Sequence, residues 1–175
     1  MTTTLVVLLA VVIGGGYAAW RWSQNQYYVG ADRTGQDVLI YRGVNQHVVG
    51  IGLSHRFQAT GIKLSQVPPS YQQTVKATDP ASNLSGAQTI VANIRSAVTK
   101  CQQGYAALQQ WVIKDNAYQA ELARVRKQHK PAKDIAKDIK AIPAPGQQPT
   151  RPPMCQPSTA FGIAANALVP SPGAS

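Results

Sequence analysis

The chain has 175 residues, of which 44% are apolar, and seventeen basic against seven acidic side chains give it a formal charge of +10. This length supports one modest hydrophobic core and excludes two well-filled domains. The charge favours polyanionic neighbours such as nucleic acid, anionic lipid or a charged wall polymer, and two distant cysteines exclude both a disulfide-rich scaffold and a zinc site.

The N-terminus carries the first predicted element, an apolar segment of membrane-spanning length. Residues 2–22 would form about 31 Å of helix, and no charged side chain precedes Arg21. Trp20, Arg21 and Trp22 form an aromatic and cationic edge that is typical of a membrane interface. We interpret the segment as an uncleaved anchor. A cleaved signal peptide is the alternative, although no basic residue precedes the apolar run.

A small antiparallel sheet of about three strands is predicted next. The segments "QYYVGA" and "DVLIYRGV" are rich in aromatic and β-branched residues and flank the polar turn "DRTGQ", which indicates a hairpin. "VVGIGLSHRFQAT" supplies a third strand, which is needed because two strands alone are barely stable in water. The prolines of "VPP" at residues 67–69 then close the sheet region and fit the first turn of a helix.

A heptad stripe occupies the middle of the chain. Apolar residues recur at alternating steps of three and four from Leu84 to Val112, which predicts a helix or helix pair whose apolar face covers the sheet. A self-associating coiled coil is the alternative, and Gly104 weakens either arrangement as one unbroken helix. The candidate helix-interface residues are Leu84, Val91, Ile94, Val98, Leu108 and Val112.

From Glu121 onward the chain becomes basic and then proline-rich, without an apolar stripe long enough to bury. We expect a frayed helix that runs into a disordered tail. The basic residues from Arg124 to Lys130 lack interleaved aromatics and any known nucleic-acid motif, so no nucleic-acid binding is expected. Asp134 and Asp138 could share a helix face, but each follows a lysine, which indicates a solvated charged surface.

The chemistry-bearing residues form no recognisable catalytic or metal site. His47, His55 and His129 stand singly, without partners at ligand spacing. The chain also lacks a phosphate-binding glycine loop and a nucleophile elbow. We therefore expect this chain not to be an enzyme and to hold no metal or cofactor.

Cys101 and Cys155 form the candidate disulfide. Their separation is 155 − 101 = 54 residues, and the bond would tie the proline-rich tail to the helical layer in an oxidising compartment. Two alternatives stay open, because Cys101 lies on the apolar stripe. It could be a reduced core thiol, or it could bridge two chains of a heptad-paired dimer.

An ordered set of motifs in the first half of the chain resembles a known family. After the apolar span come "QYYVG", "IYRGVN", "GIGLS" and "TGIKLSQVPPSYQQTV". Together they look like the C-terminal half of actinobacterial membrane-anchored PPM-type serine/threonine protein phosphatases, over residues 5–95. The resemblance implies a single span, with the following region outside the cell. It also implies a preceding cytoplasmic catalytic domain that uses manganese or magnesium, in enzymes that regulate growth, division and wall synthesis.

The catalytic domain of that family is absent from this sequence. Seven scattered acidic residues without an Asp-Gly pair cannot supply its two-metal site. A truncated gene, a split gene and a genuine anchor paralogue would each explain the difference. The resulting hypothesis is an α+β protein with a transmembrane anchor over residues 1–22, a small extracytoplasmic domain over 23–130 and a flexible tail over 131–175.

The function expected from these features is that of a membrane anchor and extracytoplasmic sensing or localisation module of such a phosphatase. Its expected partners are the lipid bilayer and a cell-wall polymer or envelope protein, and a homodimer is compatible with the same sequence. The alternative is an independent signal-anchored envelope protein that oligomerises through its heptad helix.

Overall fold

A computed structural model of the chain describes residues 2–48 and 51–170, apart from the side chains of residues 2–9, 19, 47, 48 and 51. The chain divides into two compact units, Met1–Ala97 and Val98–Ser175. The helices are α1 (Thr2–Ser23), α2 (Pro69–Ala77), α3 (Leu84–Arg126) and α4 (Ala132–Ala141), and the strands are β1 (Tyr27–Ala31), β2 (Asp37–Val48), β3 (Ile51–Lys63) and β4 (Asp79–Ala81). Short 3₁₀ turns lie at Leu64–Gln66, Ser158–Phe161 and Ala165–Leu168.

Helix α1 corrects the prediction of a membrane span. In the described part of the chain, no helix is both long enough and apolar enough to cross a membrane. α1 has 22 residues, but its apolar run includes Gly14, Gly15 and Gly16, which add almost no apolar surface. The apolar side chains of residues 5–9 lie outside the described part. The predicted transmembrane anchor is therefore wrong, and so is the single-pass cell-membrane localisation with its outward orientation.

Four antiparallel strands form one sheet in the order β3-β2-β1-β4, one strand more than the sequence indicated. The α+β class is confirmed, and the predicted hairpin becomes β1 and β2. The additional strand β4 pairs with β1 through only three residues. Its Pro80 is tolerated because β4 is an edge strand, where a missing N–H leaves no gap in the ladder.

The hydrophobic core of the first unit lies on one face of this sheet. Val29 in β1 and Val38 and Ile40 in β2 share that face, because side chains alternate along a strand, and each is at most 2% exposed. Helix α2 begins at Pro69, as the sequence predicted, with this residue in its first turn. It contributes the buried Val75 to the same unit.

Helix α3 is continuous over 43 residues and carries the heptad stripe. Arg95 Nη2 donates a hydrogen bond of 2.9 Å to the Thr60 carbonyl oxygen in β3, so this part of the helix contacts the sheet. Leu84 is half-buried and the other predicted stripe residues are buried, namely Val91 and Ile94 in the first unit and Val98, Leu108 and Val112 in the second. The stripe is therefore covered by parts of its own chain.

The C-terminal tail of the second unit, described as far as residue 170, is attached to α3. Cys155 forms the predicted disulfide with Cys101, with the two Cα atoms 5.8 Å apart. The buried Tyr105 donates its hydroxyl to the Gln156 carbonyl oxygen at 2.8 Å. The Tyr105 ring also contacts that of Phe161, with 5.7 Å between centroids. The described tail is thus a docked segment, whereas the sequence predicted a disordered one.

Candidate binding site

Two stacked tyrosines mark the face of the sheet opposite the core. Tyr28 in β1 lies directly across from Tyr41 in β2, and the alternation along each strand turns both rings away from Val29 and Ile40. The ring centroids are 4.9 Å apart and the planes differ by 8°. A hydrogen bond of 2.8 Å joins Tyr28 Oη to Ser54 Oγ in β3, which fixes the position of the first ring.

The tyrosine pair borders an open cavity of about 600 Å³, which we call the tyrosine site. Besides Tyr28 and Tyr41 it is lined by Asp32, Arg33, Asn45, Ser54, Arg56 and Thr78. The volume falls within the range of about 300–1,000 Å³ that is usual for ligand pockets. Hydroxyl, amide and guanidinium groups dominate the lining, so the cavity suits a ligand that carries many hydrogen-bonding groups.

Asp32 organises the β1–β2 loop at the edge of this site. Its Oδ1 accepts hydrogen bonds from the backbone N–H groups of Gln36 at 2.8 Å and Asp37 at 3.1 Å. Its Oδ2 accepts a hydrogen bond of 2.5 Å from the Thr34 hydroxyl. These bonds, with the Thr34 bond contributing most, lower the pKa of Asp32 from 3.8 to about 2. The carboxylate is therefore ionised at neutral pH and serves mainly to hold the loop.

Two arginines give the tyrosine site a net positive charge. Arg56 Nη2 lies 3.7 Å from Asp32 Oδ2, and the Arg56 side chain is 64% exposed, whereas that of Asp32 is 8% exposed. A pair with this separation and exposure is weak, and the Arg56 side chain faces mainly solvent. Arg33 is also exposed and lines the same cavity. Two guanidinium groups against one carboxylate that is already hydrogen-bonded favour an anionic ligand.

Tyr28 contributes a polar but uncharged group to the site. Burial raises the pKa of its phenol, the hydrogen bond with Ser54 opposes that rise, and the neighbouring Tyr41 adds to it. The phenol is protonated at neutral pH. In the part of the chain that the structure describes, no three His, Cys, Asp or Glu side chains are grouped as a metal site would require.

The residues singled out from the sequence are spread over the chain. Residues 20–22 are exposed at the end of α1, but the membrane interface predicted for them is not supported, because no helix of the described residues could cross a membrane. His55 lines the tyrosine site, His129 is exposed outside it, and the side chain of His47 lies outside the described part. Cys101 and the stripe residues other than Leu84 are buried, whereas Cys155 and Leu84 are half-buried.

The tyrosine site itself was missed by the sequence analysis, although the hairpin contained a signal for its centre. A turn centred on residues 34 and 35 pairs position 28 with position 41, which places the two tyrosines together. Comparisons of the chain with protein-family models, with curated proteins and with solved structures find no match. The chemistry of the site is therefore inferred from its own geometry.

Proposed function

We propose that this chain is a non-catalytic recognition module that binds an acidic sugar at the tyrosine site. The observation that carries this proposal is one cavity in which the exposed Arg33 and Arg56 lie beside the stacked Tyr28 and Tyr41. Guanidinium groups bind carboxylates through paired hydrogen bonds. The half-buried Tyr41, backed by the buried Tyr28, offers the exposed part of a rigid apolar ring to a sugar. The neighbouring hydroxyl and amide groups supply hydrogen bonds to the sugar hydroxyls.

The sequence resemblance supports a biological setting for such binding. A module that detects a ligand on behalf of a serine/threonine protein phosphatase, or that holds the phosphatase at a particular place, needs a ligand site. It needs no catalytic residues of its own. Acidic wall polymers have the proposed ligand chemistry, and a formal charge of +10 would attract them before contact. We propose this setting without the membrane anchor, which the structure contradicts.

The test is an NMR titration of the full chain with galacturonate, with galactose as the uncharged counterpart and inorganic phosphate as the anion alone. We expect galacturonate to shift the amide signals of Tyr28, Tyr41 and Arg56 most strongly, because only this probe carries both a charge and a sugar ring. Equal shifts with galactose, or no shift with galacturonate, would overturn the proposal. Equal shifts with phosphate would reduce the site to an anion site and remove the sugar from it.

A variant pair tests whether the site, and not the net charge, determines affinity. Arg56→Gln should weaken galacturonate binding by about tenfold or more, because a hydrogen bond to a charged group contributes about 1.5–3 kcal/mol. Arg126→Gln removes the same charge from an exposed position in the second unit and should change the affinity by less than about twofold. Equal weakening by both variants would contradict recognition at the tyrosine site.

A further inference from the structure

A second cavity adjoins the tyrosine site in the first unit. It measures about 260 Å³ and is lined by Trp22, Tyr27 and Gln46, and it shares Tyr28, Asn45 and Thr78 with the tyrosine site. We call this second cavity the tryptophan groove. Three residues thus border both cavities, so the two cavities are neighbours on the first unit.

The junction between the two cavities is polar and accessible. Asn45 Nδ2 donates a hydrogen bond to Thr78 Oγ1 at 3.4 Å, and the contact is exposed. A bond of this length is weak, so the amide and the hydroxyl keep hydrogen-bonding capacity for a ligand that crosses from one cavity to the other. The groove alone is smaller than the usual ligand pocket of about 300–1,000 Å³, which fits the extension of a site better than a site by itself.

The lining of the tryptophan groove is uncharged and partly aromatic. Trp22 is 63% exposed, and its indole stands at the end of α1 where the chain turns into the sheet. That junction is fixed by Arg42 Nε, which donates to the Gln24 carbonyl oxygen at 2.6 Å, and by the Gly43 N–H, which donates to the Gln26 carbonyl oxygen at 2.8 Å. The exposed indole lines the groove together with the amide side chains of Asn45 and Gln46, and it offers a packing surface for a second sugar ring.

We infer that the ligand is an acidic oligosaccharide whose charged sugar lies in the tyrosine site and whose next sugar packs on Trp22 in the tryptophan groove. This inference rests on the proposed function and adds the chain-like nature of the ligand and a second subsite. The charged sugar is assigned to the tyrosine site because Arg33 and Arg56 line only this larger cavity. The affinity should therefore depend on ligand length.

The experiment measures the affinity of the full chain for galacturonate oligomers of increasing length, from the single sugar upward. We expect the dimer to bind about three- to tenfold more tightly than the monomer, which is the gain that one aromatic packing contact gives. Trp22→Ala should abolish this gain, so that the variant binds the dimer no more tightly than the monomer. Trp20→Ala is the matched control, because Trp20 is also exposed on α1 but contacts Tyr17 and lines neither cavity.

Each outcome bears on one proposal or on both. If the monomer binds at the tyrosine site and longer oligomers bind no more tightly, the second subsite is overturned and the proposed function stands. The same holds if Trp22→Ala and Trp20→Ala have equal effects on dimer binding. If no galacturonate of any length binds, the proposed function and this inference both fail.

Discussion

At the scale of single residues, Asp32 shows how one side chain serves both the fold and the candidate site. Its two carboxylate oxygens accept three hydrogen bonds, two from the loop that follows β1 and one from the first residue of β2, and the same carboxylate borders the tyrosine site. Because these hydrogen bonds already stabilise the negative charge of Asp32, its ion pair with Arg56 is weak. The Arg56 guanidinium group can therefore bind a ligand. A loop residue thereby helps to set the net positive charge of the cavity.

The depressed pKa of Asp32 predicts a specific acid sensitivity. Because its pKa in the folded chain is about 2 against an ordinary 3.8, ionised Asp32 stabilises the fold above pH 3.8, and that stabilisation is lost as the pH falls through 2. Asp32→Asn should lower the thermal unfolding temperature at pH 7 and flatten its decline over this acid range. Circular dichroism melts check this, with Asp134→Asn at an exposed position as the control. A variant whose acid decline equals that of the wild type would contradict the assignment.

Position 104 requires glycine because the side chain of Pro152 lies close to it, and not because of its backbone angles. A Cβ at this position would overlap the Pro152 ring of the docked tail, whereas a Cβ at Gly86, also in α3, would meet Ala81 at 3.4 Å. Alanine normally stabilises a helix interior by about 0.5–1 kcal/mol relative to glycine. Gly86→Ala should therefore be neutral or stabilising in urea denaturation, and Gly104→Ala should be destabilising. A stabilised Gly104→Ala variant would show that the tail does not pack there.

At the scale of elements, α3 and the tail stabilise each other in the second unit. The tail supplies few large buried side chains, and Met154 and Val169 are 73% and 63% exposed. Its attachment depends on the disulfide, on the Tyr105 hydrogen bond and on the Trp111 indole N–H, which donates to the Gly146 carbonyl oxygen at 3.0 Å. Of these three connections, only the disulfide constrains the unfolded chain.

Loss of the disulfide should therefore loosen the tail. Cys155→Ser is expected to lower the free energy of unfolding by about 4 kcal/mol in the chain-entropy model for this loop length. The indole N–H signal of Trp111 should exchange faster, because its acceptor lies in the released segment. Reduced wild type should match the variant, and the Cys101→Ser/Cys155→Ser double variant excludes cross-linked dimers. Unchanged stability and unchanged Trp111 exchange would contradict this role of the bond.

At the scale of the whole chain, local sequence patterns determined the class and most of the elements. Alternation and turn chemistry indicated β1, β2 and β3, proline marked the start of α2, and the heptad spacing indicated α3. Each of these signals depends on residues close together in sequence. The sequence identified Cys101 and Cys155 as a candidate disulfide. It left an internal bond, free thiols and a bond between two chains all open, because the separation of two residues in sequence does not give the distance between them in space. The prediction of a membrane span was wrong because it used only the length of the apolar run and its lack of charged residues.

The tertiary structure decided the rest, including the candidate site. Strand β4 has a three-residue segment with a proline, "DPA", which has no intrinsic strand signal and forms only because β1 offers an unpaired edge. Hairpin symmetry was enough to place Tyr28 opposite Tyr41. Ser54 and Arg56 could not be placed in this way, because register shifts interrupt the β2–β3 ladder near Val38, Ile40 and Gly43. Each shift changes which side chains face the tyrosines, so the chemistry of the cavity depends on irregularities that no local pattern encodes.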